Sequence, residues 1–546
     1  MSNVKNDLII EIEKRVNDKI LEPSNAELLK KLILNADSDN EAMSIAELGT
    51  TYKRTGLHFD KRLEKYTKTI HYFKKNENLS FKTDNDKPTH KLIIGDNYEA
   101  MQNLLIQYKG KIDVIYIDPP YGKDSMGEFA KTNYENAITR DNLLSMLYPR
   151  LMLAKMLLSD NGVIFCSIDD KNQAYVKCLF DEVFGENNFV NTSVIMNNRG
   201  GRDYGGIAIQ HEYLLIYSKN IFKYELNPIE EKDKKFQYSD SKGGFNLMEL
   251  RNRNIKFNDK NRPNLFYPFY LNPNESDENG LFAISLEKTD KYCVEVLPSV
   301  SQGIQTVWRW GKEEKSRENL NKEIFGKVNQ NGGYMIVQKY RKTTKMQRSI
   351  WDEKEFVNER GTEAVKEILC KGVFDYPKSV FLLKRIVDLA SNNDSFILDF
   401  FAGSGSLAHA VLESNKDDGG NRTFILCQLN EITETTPNGI AYDVTAKRLK
   451  RIMTGECYDG TNDFEWIKKN ASFGGNLDVY EIEHVSNFEH IKGKTPFALP
   501  QILSLSTAVS LMWATTPWFV SASRSTSIRP RMIRRPRAST AVPLKN

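Results

Sequence analysis

Short apolar runs alternate with helical segments in two separate parts of this 546-residue chain. The first part holds Leu92–Ile94, Val114–Ile117 and Val163–Ile168, and the second holds Phe396–Phe400 and Phe424–Cys427. Short apolar strands that alternate with helices predict an α/β fold with a doubly wound, mostly parallel sheet. Because the two parts stand far apart along the chain, one sheet would have to be assembled from both.

The alternation stops between about Asn191 and Cys370. This segment contains a glycine-rich run, "NNRGGRDYGG" (197–206), and aromatic and basic stretches without regular βα order. A chain of this length is expected to form two to four domains. We therefore predict a helical N-terminal region (1–85), a first α/β part (86–190), an insertion (191–370), a second α/β part (371–490) and an atypical, disordered-looking tail (491–546).

The N-terminal region has no apolar run of the signal-peptide type. Apolar residues recur at helical spacing over 26–34, where Ser24 and Glu27 fit a capping box. The cysteines are widely scattered and form no C-x-x-C pair, which argues against a zinc site or a disulfide framework and fits a reducing cytoplasm. These cysteines are Cys166, Cys178, Cys293, Cys370, Cys427 and Cys457.

Charge is unevenly distributed along the chain. The net charge is +4, but nine Lys or Arg and no Asp or Glu follow His490, which leaves 67 basic against 72 acidic residues before it. A nucleic-acid-binding surface therefore has to be a local patch. The tail from Ala498 carries no charge before Arg524, yet its prolines and many Ser and Thr argue against a membrane span. We expect no membrane association and assign the tail no function.

The run Val114–Ile117 is followed at once by Asp118-Pro119-Pro120-Tyr121. Proline cannot donate to a sheet ladder, so the two prolines end the strand and stiffen the loop. A carboxylate, a proline carbonyl and an aromatic ring are thereby held at the carboxyl end of the strand. The pattern favours a rigid functional loop over a plain structural turn.

A second loop, "DFFAGSGS" (399–406), joins a strand to a helix. Gly403 and Gly405 allow a ligand to approach the backbone beside a helix N-terminus. Glu431 follows the next strand, where ribose hydroxyls are usually held. Taken alone the pattern is weak, because such loops serve many ligands or form a tight turn without one. For Glu431 by itself, an ordinary solvated loop acid is the less favoured alternative.

The two loops are informative together. If the strands that end at Asp118 and Asp399 are neighbours in one parallel sheet, both loops open at the edge where ligands bind. Asp118 and the Pro119 carbonyl could then accept both hydrogens of an exocyclic base amine, and Tyr121 offers a face for an extruded base. The combination predicts group transfer to a base amine, with a nucleoside-bearing cofactor at Gly403 and Gly405.

These motifs resemble the motif pair of S-adenosylmethionine-dependent amino-methyltransferases that act on DNA. The catalytic motif precedes the cofactor motif, which is the order of the β group. The chain also resembles the Mod subunit of type III restriction–modification systems over about residues 50–495. The stretches that carry this resemblance are "GDNYEAM" (95–101), "YPRLMLAKMLLSDNGVIFCSIDD" (148–170), "FGENNFV" (184–190), "HEYLLIYSKN" (211–220), "WRWGKE" (308–313) and "FDYPKSVFLLKRIV" (374–387).

The resemblance implies a Rossmann-like methyltransferase fold and N6-adenine methylation of double-stranded DNA, with S-adenosylmethionine as cofactor and no metal. It further implies a target-recognition domain in the insertion, a homodimer, and a separate ATP-dependent Res subunit for cleavage. The family's tail beyond "GKTPF" (493–497) does not continue here, which leaves partner contacts open. The residues that the resemblance assigns to catalysis are Asp118, Pro119, Pro120 and Tyr121. Those assigned to the cofactor are Asp399, Phe401, Gly403 and Gly405 on its methionine side, Glu431 at its ribose, Asp96 near its adenine, and Pro377 and Lys378 near its carboxylate.

Other functions fit some of the same features. A solitary modification enzyme or a cytosine-N4 methyltransferase shares the motifs, although Asp118 at the first motif position favours adenine. A dinucleotide-binding oxidoreductase leaves Asp-Pro-Pro-Tyr unexplained, and Ala408 replaces its third glycine. A non-catalytic DNA-binding module would bind the cofactor without methyl transfer. The chain has no G-x-x-x-x-G-K-[ST] phosphate loop, so ATP-driven translocation is assigned to another subunit.

The insertion is expected to carry DNA specificity, because its aromatic and basic clusters suit base stacking and phosphate contacts. The same residues could equally form solvated faces and a small core. The clusters comprise Arg251, Arg253, Lys256, Lys260 and Arg262, then Trp308, Arg309 and Trp310, and then Lys339, Arg341, Lys342, Lys345 and Arg348.

Overall fold

The computed structural model describes residues 3–17, 21, 23–48, 70–120, 140–201, 206–231 and 234–485. The described residues fall into two compact units. The first contains the described residues up to 48 and those in 73–483, and the second contains 70–72 and 484–485. In the second unit the His71 and His484 rings meet edge to face, with 4.6 Å between their centroids. Tyr121, the segment 49–69 and the tail lie outside the described residues.

The secondary structure alternates in both α/β parts as the sequence predicts. The helices are Asn3–Asn17, Pro23–Asn35, Asp39–Leu48, Asn97–Tyr108, Arg140–Leu157, Gln173–Phe184, Arg317–Asn319, Asn358–Ile368, Val380–Ala390, Ser406–Asp418, Lys447–Thr454 and Glu465–Lys469, with π-helices at Lys312–Ser316 and Ala441–Ala446. The strands up to residue 250 are β1 Ile70–Lys75, β2 Phe81–Lys82, β3 Thr89–Ile94, β4 Ile112–Ile117, β5 Leu158–Ile168, β6 Phe189–Met196, β7 His211–Ser218, β8 Ile229–Glu230, β9 Tyr238–Asp240 and β10 Gly243–Glu249. The later strands are β11 Phe269–Ser276, β12 Phe282–Ser285, β13 Val294–Val296, β14 Val300–Ser301, β15 Ile304–Gln305, β16 Ile324–Val328, β17 Tyr334–Tyr340, β18 Thr344–Lys345, β19 Ile350–Trp351, β20 Phe396–Asp399, β21 Thr423–Gln428 and β22 Asn476–Val485.

Both α/β parts contribute strands to one main sheet. Its order is β1-β22-β3-β21-β20-β4-β5-β7-β6-β19, and β2 also pairs with β22. The strands from β22 to β5 run parallel, whereas β7 is antiparallel to β5 and β6. The doubly wound, mostly parallel sheet that the sequence predicts is therefore confirmed.

Helices cover both faces of this sheet, so its central strands are buried on both sides. On one face Leu383 and Val387 of the helix Val380–Ala390 belong to a fully buried apolar cluster. On the other face Leu104 and Leu151, from two other helices, belong to a second cluster. Burial on both faces explains why the strands read as continuous apolar runs in the sequence.

The N-terminal prediction needs two corrections. The helices up to Leu48 form around a small buried cluster that includes Ile12 and Ile33, but strands β1 and β2 follow, so residues 1–85 are not all helical. The second helix begins at Pro23, which places Ser24 within the helix instead of at its N-cap. Proline is well suited to a first helical turn because its missing N–H has no partner there in any case.

Two antiparallel strands of the main sheet, β7 and all but the first two residues of β6, lie within the segment that the sequence predicts as the insertion, and so does the short strand β19, which pairs in parallel with β6. Antiparallel strands need no crossover helix, which is why βα alternation did not reveal them. A separate antiparallel sheet, in the order β13-β11-β12-β16-β17-β10-β9, forms the body of the inserted segment. Its core includes Phe269, Leu271, Trp308 and Ile336. Among the described residues, no helix is both long and apolar enough to cross a bilayer.

Candidate active site

The two motif loops leave neighbouring strands at one edge of the main sheet. Strand β4 ends immediately before Asp118, and β20 ends at Asp399. The two strands pair in parallel, with Leu398 opposite Ile115. The predicted adjacency of these strands is confirmed, and it places the Asp118 and Asp399 loops side by side.

Asp399 is a deeply buried carboxyl group, only 3% exposed. Burial raises its pKa to about 8, the backbone amide of Phe401 lowers it, and the charge of Asp118 raises it. The Phe401 amide donates to Asp399 Oδ1 over 2.9 Å. Asp399 can therefore hold a proton near neutral pH, and a cation placed beside it would favour its charged form.

Asp118 is the first residue after β4, and about a quarter of its side chain is exposed. Pro119, which follows it, is buried, and Pro120 is half-buried, so the loop is anchored directly after the strand. The fourth motif residue, Tyr121, lies outside the described residues. The structure thus presents a partly accessible carboxylate on a rigid support.

Lys378 lies between two carboxylates. Its Nζ is 3.3 Å from Asp118 Oδ1 and 2.6 Å from Glu212 Oε2. Burial by itself lowers the pKa of this lysine, but the charges of Asp118 and Glu212 and its hydrogen bonds to them outweigh burial and raise it. Lys378 stands two residues before the helix Val380–Ala390, and that position brings it to the same edge of the sheet.

The glycine loop adopts a backbone that L side chains rarely take. Gly403 has φ +53° and Gly405 has φ +76°, and Gly405 precedes the helix Ser406–Asp418. A Cβ on Gly403 would approach the Phe374 ring to 3.2 Å. The Gly403 amide donates to Gln428 Oε1 over 2.6 Å, which ties the loop to the end of β21. The loop thus has a backbone that depends on glycine, and its contact with a cofactor stays a prediction.

A fully buried arginine supports the same loop from behind. Arg448 donates to Ser404 O over 3.1 Å, to Ser404 Oγ over 3.0 Å and to Ser406 Oγ over 2.9 Å. Burial lowers the pKa of its guanidinium group. Thr445, one turn earlier, donates to Gly403 O over 2.6 Å. The loop geometry is therefore fixed by side chains from a segment some 40 residues later in the chain.

The remaining predicted cofactor residues also lie at this edge. Glu431 follows β21, is half-buried, and has its pKa raised by burial. Asp96 follows β3, accepts from the Tyr98 amide over 2.8 Å as a helix N-cap, and pairs with Arg150 at 3.0 Å. Pro377 is buried beside Lys378. Strands β3, β21, β20 and β4 are consecutive in the sheet, so their loops form one continuous row.

Sequence reasoning did not assign roles to Glu212, Gln428 or Arg448. Each of them contacts a motif residue only because the fold brings distant segments together. Glu212 belongs to the "HEYLLIYSKN" stretch that resembles the Mod family, and this was the one signal that could have directed attention to it.

The clusters of the insertion divide into structural and exposed residues. Trp308 is a core residue whose Nε1 donates to Tyr267 O over 2.7 Å, and Lys339 and Arg341 both pair with Asp240. Arg251 pairs with Glu249 at 2.8 Å, and Arg253 and Lys345 also pair with acids. Trp310 lies beneath Lys315, 4.5 Å from the ring centroid. The members whose side chains stand exposed with no ion pair among the described residues are Lys256, Lys260, Arg262, Arg309, Lys342 and Arg348.

The fold, with its glycine loop and Asp-Pro-Pro loop at one sheet edge, defines the class of α/β methyltransferases. A family model described as DNA methylase matches residues 112–436, from the first residue of β4 to the loop after β21. The chain belongs to this DNA methylase family. A second model, described as an uncharacterised conserved protein, matches residues 5–114.

Several named relatives align with the chain. The type II methyltransferase M.KpnI of Klebsiella pneumoniae is 33% identical over 70% of this chain and 91% of its own length. The Mod subunit of the type III enzyme EcoPI from Escherichia phage P1 is 31% identical over 68% of this chain and 63% of its own. The Mod subunit of StyLTI from Salmonella typhimurium is 30% identical over 63% of this chain and 53% of its own. The chain thus spans less than two thirds of these type III relatives.

Proposed function

We propose that the protein transfers a methyl group from S-adenosylmethionine to the N6 amine of a flipped adenine in double-stranded DNA. The observation that carries the proposal is the parallel pairing of β4 with β20, which sets the Asp118 loop beside the Asp399 loop. One loop has acceptors suited to an amine, and the other has the glycine backbone suited to a nucleoside-bearing ligand.

The residues at the glycine loop fit S-adenosylmethionine. Gly403 and Gly405 take a left-handed backbone, and a Cβ on them would meet Phe374 at 3.2 Å and Thr445 at 3.4 Å, so the proposed cofactor loop depends on glycine at both positions. Buried Asp399 suits the cationic methionine end, and half-buried Glu431 suits ribose hydroxyls. Asp96 is proposed to lie near the adenine. When bound, the cofactor supplies a methyl group on a positively charged sulfur.

The chain's own contribution to the chemistry is to bind and orient the acceptor amine. The lone pair of an exocyclic amine is delocalised into the base, which makes the nitrogen a poor nucleophile. The Asp118 carboxylate and the Pro119 carbonyl can accept its two hydrogens and draw the nitrogen toward tetrahedral geometry. The prolines keep both acceptors in place, and a displacement of about 1 Å can cost about a hundredfold in rate. Tyr121 is proposed to stack on the extruded base.

We propose the inserted sheet as the target-recognition domain. Exposed Lys256, Lys260 and Arg262 stand in one short loop that asparagine side chains brace. Asn258 Oδ1 accepts from the amides of Lys260 and Asn261 over 3.1 and 3.2 Å, and Asn261 Nδ2 donates to Lys256 O over 2.7 Å. Such a loop suits contacts to the DNA backbone, which position a protein on the duplex.

The relatives named Mod support a place in a type III restriction–modification system. In that setting the chain would be the modification subunit, act as a homodimer in the cytoplasm, and associate with an ATP-dependent Res subunit. The likeness to the type II methyltransferase M.KpnI leaves a solitary modification enzyme as the second candidate. Co-purification with and without a Res chain separates the two.

The test is methyl transfer to DNA by the purified protein with isotopically labelled S-adenosylmethionine, followed by nucleoside analysis. Labelled N6-methyladenine at a defined sequence is the expected product. Labelled N4-methylcytosine would support methyl transfer to a base amine but would show that the target base is cytosine and not adenine. The substrate is a DNA library in which every short recognition sequence is represented. If the protein binds the cofactor but transfers no methyl group to this library, the proposal is refuted.

A further inference from the structure

Glu212 is a deeply buried acid, 4% exposed, at the start of β7. Strand β7 runs antiparallel to β5, with Tyr213 opposite Ile168. Because β5 is parallel to β4, the beginning of β7 reaches the edge at which β4 ends. The topology therefore delivers Glu212 to the same edge as Asp118.

The carboxylate of Glu212 belongs to a short row of polar side chains joined by hydrogen bonds and ion pairs. Its Oε2 accepts from Lys378 Nζ over 2.6 Å and from Asn197 Nδ2 over 2.9 Å. Within the described residues its Oε1 has no hydrogen-bond partner, although it is buried. The Lys378 ammonium, also buried, lies 3.3 Å from Asp118 Oδ1. A connected row of polar contacts thus leads from Asn197 through Glu212 and Lys378 to Asp118.

The Lys378 ammonium is shared between two carboxylates, those of Glu212 and Asp118. In a buried setting an ammonium is drawn strongly to the nearest negative charge. Glu212 offers Lys378 a second charge to share, so that Asp118 does not bind the ammonium alone. Without Glu212, Lys378 would turn fully to Asp118 and compete with an incoming amine for the same carboxylate oxygens.

We propose that Glu212 is a positioning residue for methyl transfer, which acts by holding the Lys378 ammonium so that Asp118 stays oriented and available to the substrate amine. The inference rests on the proposed function of Asp118. It gives Lys378 a role toward the acceptor amine, in addition to the cofactor contact that the family resemblance implies. Asn197 supports Glu212 on the side of β6.

Glu212→Gln is the test variant, since it keeps the shape of the side chain and removes its charge. We expect turnover at saturating DNA and cofactor to fall on the order of 10²-fold, as for a misplaced catalytic group. The dissociation constant for S-adenosylmethionine should stay close to wild type, whereas the thermal midpoint should fall, because one partner of a buried ion pair is removed. Glu212→Asp, which restores the charge at a shorter reach, should recover part of the lost turnover.

A matched control comes from the far end of the helix Ser406–Asp418. There Asp418 pairs with the buried Arg422 at 2.8 Å, and a helix of this length spans about 20 Å. Asp418→Asn also removes a carboxylate from a buried cation. It should lower the thermal midpoint and leave turnover unchanged, which separates a general effect of breaking buried ion pairs from positioning.

Wild-type turnover in Glu212→Gln would overturn the inference. So would a parallel loss of turnover, cofactor affinity and thermal midpoint, because a purely structural ion pair predicts that pattern. If Glu212→Gln does not fold, Asn197→Ala is measured in its place and interpreted by the same criteria. An active Asp118→Ala protein, in contrast, would refute the proposed function itself.

Discussion

Arg448 and Ser404 connect the helix Lys447–Thr454 to the glycine loop, with Arg448 Nη1 3.1 Å from Ser404 O and 3.0 Å from Ser404 Oγ. Arg448 is fully buried, and among the described residues no carboxylate lies within ion-pair distance of it. A buried cation without an acidic partner is costly unless its hydrogen bonds are made. The loop backbone and the arginine therefore depend on each other.

Replacement of this arginine should weaken cofactor binding. Arg448→Met removes three hydrogen bonds to the loop, and hydrogen bonds to charged groups contribute about 1.5–3 kcal/mol each. We expect at least a tenfold rise in the dissociation constant for S-adenosylmethionine, measured by calorimetry. Arg422→Met removes a buried arginine from the opposite end of the helix Ser406–Asp418 and should spare affinity. Equal losses in both variants would contradict a specific role of Arg448.

Gly403→Val should also weaken cofactor binding, because a side chain there strains the left-handed backbone of the proposed cofactor loop and pushes against the Phe374 ring. Gly419 offers a matched control, since it has φ +72° and no atom lies within 4 Å of the position that a Cβ would take there. Gly419→Val carries the same kind of backbone strain, but its side chain displaces no neighbour and lies outside the proposed cofactor loop. We expect loss of affinity in the first variant and retention in the second. Unchanged affinity in Gly403→Val would place the cofactor elsewhere.

Because of Asp399, the free energy of unfolding should fall as the pH rises. Burial raises its pKa to about 8, whereas an unfolded Asp titrates near 4, so between these values the folded protein keeps a proton that the unfolded chain has lost. Burial lowers the pKa of His90 to about 3 and of His409 to about 4, and these residues act with the opposite sign, but only below about pH 6.5.

In the window from pH 6.5 to 8 Asp399 therefore titrates without the opposing effect of His90 and His409. Its contribution to the free energy of unfolding should fall by up to about 1.4 kcal/mol per pH unit, and level off above pH 8. Thermal midpoints of the wild type and of Asp399→Asn, measured at both ends of the window, check this. The wild type should lose stability and the variant should lose less. An identical fall in both proteins would show that another group titrates.

The basic loop of the inserted sheet should contribute to the salt dependence of DNA binding. Each phosphate contact adds about 0.9 to the slope of log affinity against log salt. Joint replacement of Lys256, Lys260 and Arg262 by alanine should reduce that slope by up to about three. Replacement of Lys468 and Lys469, exposed lysines that pair with acids, should change it little. An unchanged slope in the triple variant would exclude this loop from the interface.

The parts of the fold that the sequence predicts are those with local signals. Apolar runs with glycine and proline boundaries located the strands that end at Asp118 and Asp399, and the rule that ligands bind at strand carboxyl ends brought the two loops together. The inserted sheet had no such signal. Its antiparallel strands, like the antiparallel strand β7 of the main sheet, lack the helical connections that made the parallel strands recognisable.

Residue roles that depend on distant partners could not be predicted. Lys339 and Lys256 look alike in the sequence, but Lys339 pairs with Asp240 and Lys256 stands exposed. Glu212 reads as an ordinary polar residue before an apolar strand, and only the folded chain brings it within 2.6 Å of Lys378. Such pairings arise from strand order and register, which single-sequence patterns do not encode.

Turnover of Asp118→Ala tests the central claim most directly. The carboxylate is proposed to bind the acceptor amine and not the cofactor, so its loss should reduce methyl transfer to DNA by about 10²–10³-fold, comparable to removal of one preorganised hydrogen-bonding group. The dissociation constant for S-adenosylmethionine should remain near that of the wild type. Transfer of labelled methyl groups within about fivefold of wild type, at saturating DNA and cofactor, would contradict the assignment of Asp118 to the reaction centre.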